Sequence, residues 1–381
     1  MGRFDHLKKE NDVEKMRSYA KVVLVGFGWE TLELFDLFSR VFGKDQVLII
    51  DHKEWSRDHL FYPGPCADRG EVSGQVLKCF VPDISLKKGR GPLFYKDRKF
   101  FSFQGRARPY TLGEGESYFK LFPNFFDSKN LLNRDIDERM DLAKGSFLKA
   151  GIKSIEFGHG SSATPAPPDE VNFKLVLIGH QSIECQYLFY GRSPQEFLKL
   201  VSDKNRLDKK FIEFSAQFEK DFSLVVHFDL DSKEVDSCQT FFIPQSQTHE
   251  MGHFIVEIQN VPDSDHQRFK TCCRMSADDA DEEGVAKKLK LLKRTLRRIF
   301  PGFKKGVKRE KIYLLDYSPF YSVNDEINKE LQHFSYFGRM APIEKEFLQE
   351  NKIDVNSKDI LNNARSLLSI KKIQDRFSLP T

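Results

Sequence analysis

Apolar runs and amphipathic stripes divide the chain into elements. Residues 21–26, Lys-Val-Val-Leu-Val-Gly, form a short β-branched run ended by glycine, the pattern of a strand buried on both faces in a parallel sheet. Residues 29–42 place Leu32, Leu34, Phe35, Leu37, Phe38 and Val41 along one side, which predicts an amphipathic helix closed by Gly43. Residues 46–50, Gln-Val-Leu-Ile-Ile, predict a second buried strand, and Asp51 ends it. Strand, helix and strand within ~30 residues make a βαβ unit.

Downstream the pattern changes. Residues 63–92 are rich in glycine and proline and predict loop with short strands. From residue 93 to 126 aromatics crowd together, and residues 131–150 predict a helix. Residues 158–169, GHGSSATPAPPD, read as a turn or flexible loop. Residues 171–179 and 182–190 predict a pair of strands. Ser193, Pro194 and Glu196 then supply an N-cap, a first-turn proline and a capping-box acid for a helix. Residues 221–230, 239–244 and 253–260 alternate or are β-branched, which predicts an antiparallel sheet. Residues 277–300 predict a helix with acids first and bases last, as the helix dipole favours. Residues 357–374 predict a final helix with Ile360, Leu361, Ala364, Leu367 and Leu368 on one face.

Composition narrows the class. Of 381 residues 36 are phenylalanine, which excludes a disordered chain. The six cysteines, Cys66, Cys79, Cys185, Cys238, Cys272 and Cys273, form no C-x-x-C pair and are too sparse for a disulfide scaffold, so reduced thiols are expected. Sixty basic and 56 acidic residues leave a net charge of +4, too mild and dispersed for a nucleic-acid binder. The basic runs 287–298 and 304–311 read as solvated helix and loop faces. Residues 1–19 are charged throughout, unlike a secretory signal, and no stretch is apolar for the ~18 residues a bilayer span needs. A soluble, cytoplasmic protein is expected.

The first candidate site is Gly26-Phe-Gly28-Trp-Glu-Thr31, placed where a strand meets a helix. Gly26 allows the tight turn, and Gly28 lets backbone approach a pyrophosphate at the helix N-terminus. Thr31 stands where a G-x-G-x-x-G fingerprint has its third glycine, and Glu30 brings a carboxylate that repels phosphate. Asp51, 20 residues after Thr31, is placed to bind a ribose hydroxyl. A βαβ unit that binds nothing, with turn glycines and a capping Asp51, is the alternative.

Several segments together resemble the flavin-containing amine oxidase superfamily, with its phytoene-desaturase, protoporphyrinogen-oxidase and UDP-galactopyranose-mutase-like branches. They are the N-terminal βαβ unit, the 179–194 stretch GHQSIECQYLFYGRSP, the 292–303 stretch LKRTLRRIFPGF, and Phe337-Gly338-Arg339 followed by the 357–374 helix. The Arg-x-Gly-Gly stretch of that superfamily is reduced here to Asp68-Arg69-Gly70, and its C-terminal Gly-Asp is absent. The resemblance implies a two-lobed α/β fold, a Rossmann-like FAD/NAD(P)-binding domain with a second, mixed-sheet α+β substrate domain. It assigns residues 1–92, 146–192 and 311–381 to the nucleotide domain, and 93–145 and 193–310 to the substrate domain. It also implies an FAD-dependent oxidoreductase in which Gly26, Gly28, Thr31 and Asp51 hold the ADP half and Gly338 and Arg339 lie near the flavin. Eight of the phenylalanines fall between Phe94 and Phe126, so the expected substrate is an apolar or amphipathic small molecule. A flavin-free relative acting as a binding or scaffold protein is the other outcome the resemblance allows.

A third reading is a zinc metallopeptidase. His249-Glu-Met-Gly-His253 is a literal H-E-x-x-H, which on a helix places two imidazoles on one face with Glu250 beside a metal-bound water. The β-branched residues 254–258 that follow favour a hairpin instead, and on that reading no metal binds.

Overall fold

The computed structural model describes residues 17–56, 86–88, 93–102, 124–126, 136–158, 171–179, 181–216, 221–248, 251–261, 264–317, 322–323, 333–338, 341, 343–350 and 358–377. Among these, strands numbered in chain order build two seven-stranded sheets. The first contains β1 (Tyr19–Val25), β2 (Val47–Asp51), β7 (Phe147–Lys149), β8 (Ile152–Phe157), β9 (Phe173–Leu177), β10 (Ser182–Tyr190) and β17 (Phe334–Tyr336). Its order is β7-β2-β1-β10-β9-β8, with β17 also paired to β10. β7, β2, β1, β10 and β17 run parallel, whereas β9 and β8 form an antiparallel flank.

The apolar run in β1 follows from its position. Val23 and Val25 pack with Ile50, Leu188 and Tyr190 on one face, together with Phe197 and Phe211 from the helices Pro194–Leu200 and Lys209–Ala216. Val22 and Leu24 face the other way, toward Leu34, Phe35 and Phe38 of the first helix (Trp29–Phe42) and Ile370 and Ile373 of the C-terminal helix (Lys358–Phe377). A central strand with helices on both faces has no polar side, so the hydrophobic run is continuous.

The second sheet contains β4 (Leu93–Lys96), β5 (Lys99–Ser102), β11 (Asp221–Leu230), β12 (Gln239–Ile243), β13 (Phe254–Asn260), β14 (Gln267–Met275) and β15 (Val307–Tyr317), in the order β15-β11-β14-β13-β12-β4-β5. All its pairings are antiparallel except β12 with β4. One face buries Leu224, Val226, Phe241, Phe254 and Phe269 against Leu292, Leu296 and Ile299 of the helix Glu282–Ile299. Asp281 caps that helix, its Oδ1 accepting from Gly284 N at 2.7 Å. Two small pairs complete the strands, β3 (Leu86–Lys88) with β6 (Asn124–Phe126) and β16 (Ser322–Val323) with β18 (Ile343–Glu344).

Three expectations need correction. The helix expected over 131–150 covers only Ile136–Lys144, because Gly145 and Ser146 turn the chain and the apolar Phe147-Leu148 joins the sheet edge beside β2. The basic stretch 304–311, expected as loop or helix face, runs into the long strand β15 instead. β14 lies between β11 and β13, where the sequence pattern indicates no strand. Among the described residues, no helix is long and apolar enough to cross a membrane.

Candidate nucleotide site at the carboxyl ends of the parallel strands

β1, β2, β10 and β17 are parallel, so their carboxyl ends share one edge of the sheet. The chain leaves β1 toward β2 on one side, and β10 and β17 lie on the other. The end of β1 is therefore the point where strand order reverses, the usual ligand crevice of such sheets. The turns that meet there are Gly26-Phe27-Gly28, Asp51-His52-Lys53, Gly191-Arg192 and Phe337-Gly338.

The first turn is held by its neighbours. Gly26 has φ +108°, a left-handed conformation that favours glycine, and its N–H donates to Ile50 O at 2.9 Å. Phe27 N donates to Asp51 Oδ2 at 2.7 Å, so the acid that ends β2 ties down the turn that ends β1. Gly28 is the extended N-cap of the first helix. Thr31, in place of the third fingerprint glycine, donates its buried hydroxyl to Gly26 O at 2.9 Å. That hydroxyl closes the turn from the inside.

Glu30 follows at the second helical position and is 9% exposed. Its Oε1 accepts from Ser366 Oγ at 2.9 Å. Its Oε2 lies 2.8 Å from where a Cβ on Gly28 would stand, and Oε1 lies 3.9 Å from where one on Gly338 would stand. The carboxylate is thus folded between the two glycine turns. Gly338 N donates to Ser369 Oγ at 3.0 Å, and Ser369 Oγ donates to Ser366 O at 2.8 Å, which fastens the C-terminal helix to this edge. Arg339 lies outside the described residues.

Arg192 completes the site and was not singled out by spacing or motif. Its Nη2 donates to Asp51 Oδ1 at 3.2 Å and lies 2.6 Å from His52 Nδ1, while Nη1 lies 3.9 Å from Glu196. Asp51 Oδ1 also accepts from Lys53 N at 2.9 Å, and Asp51 is only 3% exposed. Gly191 sits where the turns touch. A Cβ there would stand 2.5 Å from the Phe337 ring and 2.9 Å from Val25 O.

Among the described residues, His253 does not lie on the helix that the metal reading requires. Gly252 has φ +76°, and His253 leads straight into β13 with its ring stacked 6.0 Å from that of Phe242. Burial, with Arg274 and Lys288 nearby, lowers the His253 pKa to about 4. His249 and Glu250 lie outside the described residues.

No protein-family model matches the chain, and no characterised protein matches it by sequence. Solved structures match by fold. A protein of Pyrococcus furiosus, PF1083, has a TM-score of 0.54 at 11% identity, covering 94% of this chain and 98% of its own. A putrescine oxidase variant made to redesign cofactor binding has 0.53 at 10%, covering 95% and 99%. An oxidoreductase from Methanosarcina mazei has 0.52 at 10%, covering 93% and 99%. The chain therefore shares its overall α/β fold, built on two mixed sheets, with the putrescine oxidase and the Methanosarcina mazei oxidoreductase, in line with the fold that the sequence resemblance implied.

The sequence resemblance implies a flavin dinucleotide at this edge. The glycine turn and the acid ending β2 fit its adenosine half. Glu30 does not fit the pyrophosphate, because its carboxylate lies in front of the first helix's N-terminus.

Proposed function

We propose that the chain is an FAD-dependent oxidoreductase of the amine-oxidase-like class, acting on an apolar or amphipathic small molecule. The observation that carries this reading is the convergence of four parallel strand ends on a glycine turn that Asp51 braces, in a chain whose whole length follows the fold of such enzymes. Gly26, Gly28 and the first helical turn would hold the ADP half, with Asp51 toward the ribose and Gly338 and Arg339 toward the flavin. Thr31 supports the turn. The flavin supplies the electron transfer, and the protein binds, orients and excludes water. The first sheet serves the nucleotide and the second the substrate. Phe94, Phe100 and Phe101 on β4–β5 support an apolar ligand, since Phe100 and Phe101 keep about two-fifths of their surface exposed at the sheet edge. The thiols of Cys185, Cys238 and Cys273 fit a cytoplasmic setting.

A second reading has its own observation. Both oxygens of Asp51 already accept hydrogen bonds from within the chain, as expected of a flavin-free relative acting as a binding or scaffold protein. The visible spectrum of the purified protein separates the two. The first reading expects absorbance near ~450 nm and a higher melting temperature with added FAD. A colourless protein that FAD leaves unchanged would establish the second.

A further inference from the structure

We propose that His52, and not Asp51, makes the contact with the ribose, donating its Nε2–H to a sugar hydroxyl oxygen. This rests on the nucleotide reading given above and names the group that meets the ligand there.

Three observations carry it. The first is that Asp51 is turned inward. Its side chain is 5% exposed, and its Oδ2 accepts from Phe27 N at 2.7 Å. Its Oδ1 accepts from Lys53 N at 2.9 Å and from Arg192 Nη2 at 3.2 Å. The acid whose spacing suits a ribose hydroxyl is thus engaged with its own chain. The second is the contact between His52 and Arg192. His52 Nδ1 lies 2.6 Å from Arg192 Nη2. A guanidinium has donors and no acceptor, so the imidazole nitrogen that faces it is the unprotonated one. Nδ1 also lies 3.1 Å from Asp51 Oδ1, but a proton on it would meet the Arg192 N–H at the shorter distance. In the neutral ring the proton therefore sits on Nε2. The third is exposure. The His52 side chain keeps 57% of its surface, and Nε2 lies across the ring from Nδ1. The ring leans on Arg192 with one nitrogen and offers a fixed donor to the crevice with the other.

The roles at the sugar are thereby reversed. Toward a carboxylate a sugar hydroxyl donates, whereas toward His52 its oxygen accepts. Arg192 donates to both Asp51 and His52. The buried acid sets the guanidinium, the guanidinium sets the imidazole, and the imidazole meets the ligand. Asp51 and Arg192 are positioning residues in this arrangement.

The test is calorimetric titration of the purified full chain with FAD, adenosine and 2′,3′-dideoxyadenosine, comparing the native protein with His52→Ala and His52→Gln. FAD and adenosine should bind about fivefold to tenfold more weakly to His52→Ala, the loss expected of one hydrogen bond. Dideoxyadenosine should bind the two proteins equally. His52→Gln, whose amide keeps an oxygen for Arg192 and N–H groups for the sugar, should recover part of the loss. If the native chain binds FAD and His52→Ala binds it no more weakly, the inference fails and the proposed function stands. An equal loss for adenosine and dideoxyadenosine would also overturn the inference, because the hydroxyls would then play no part. Nitrogen NMR at about pH 8, where an ordinary histidine is neutral, should find His52 protonated on Nε2, its signal assigned by its loss in His52→Ala. A proton on Nδ1 would sink the inference without any ligand. If neither FAD nor adenosine binds the native chain, the nucleotide reading falls and the inference falls with it. Unfolding midpoints close to the native value establish that the comparison is between folded proteins.

Discussion

The Arg192 guanidinium reaches the Asp51 carboxylate at 3.2 Å across the end of β1, the strand that separates the two strands carrying them. The same carboxylate accepts from the backbone of Phe27 and Lys53. Asp51 is therefore the hub and Arg192 one spoke. Removing the hub strands two turn amides and a guanidinium. Removing Arg192 leaves Asp51 with its two amides.

Asp51→Ala should cost about 3 kcal/mol and Arg192→Ala about 1–2 kcal/mol, by urea unfolding of each variant. The double variant should cost little more than Asp51→Ala alone, because the two share one network. Strict additivity would show that the pair contributes nothing.

Thr31 tests how the turn survives without its third glycine. The buried hydroxyl donates to Gly26 O, and valine has nearly the same shape without the donor. Thr31→Val should lose about 1 kcal/mol, while Thr31→Ser, which keeps the donor, should stay within about 0.5 kcal/mol of native. Equal losses in the two variants would assign the effect to packing.

Much of this site was legible in the sequence. Gly26, Gly28 and Asp51 announce themselves because a buried strand, a tight turn and a helix start each demand particular residues, and the first helix runs from Trp29 to Phe42 as its apolar stripe requires. Arg192, Ser366 and Ser369 were not legible. Each is 141 or more positions from the residue it serves in the first βαβ unit or, for Ser369, 31 from Gly338, and no local periodicity encodes such a contact. β14 escaped for a different reason. Its buried positions include Gln267, Thr271 and Cys273, so its alternation is of burial more than of hydrophobicity. The 131–150 stretch misleads because a helix and a three-residue edge strand abut there at Gly145 and Ser146, and an averaged pattern merges them.

Gly191 is a steric requirement. A methyl group there would meet the Phe337 ring and the Val25 carbonyl, and Gly191 N also donates to Val25 O at 2.8 Å. Gly191→Ala should cost about 2 kcal/mol through the forced shift of the β10 and β17 ends. Adding Phe337→Leu should recover part of that loss in thermal unfolding. A native-like Gly191→Ala would mean that the two strand ends stand further apart.

The second sheet makes a prediction about acid. His227 lies opposite Lys270 and Lys311 in the register of β11, and His253 begins β13. Burial first, then neighbouring positive charges, holds the His227 pKa well below its usual value and the His253 pKa at about 4. For His227 those charges are Lys270, Arg268 and Lys311, and for His253 they are Arg274 and Lys288. Both imidazoles are thus neutral in the folded protein at pH values where an unfolded histidine, with a pKa of about 6.5, takes up a proton. Above about pH 6.5 neither state binds that proton, and the two histidines give stability no slope. As pH falls from there toward about 4, the unfolded chain gains protons that the folded one does not, so stability drops. Urea unfolding across this window should show the loss, and His227→Asn and His253→Asn should each flatten the curve. Variants that keep the native slope would place the proton uptake on other groups.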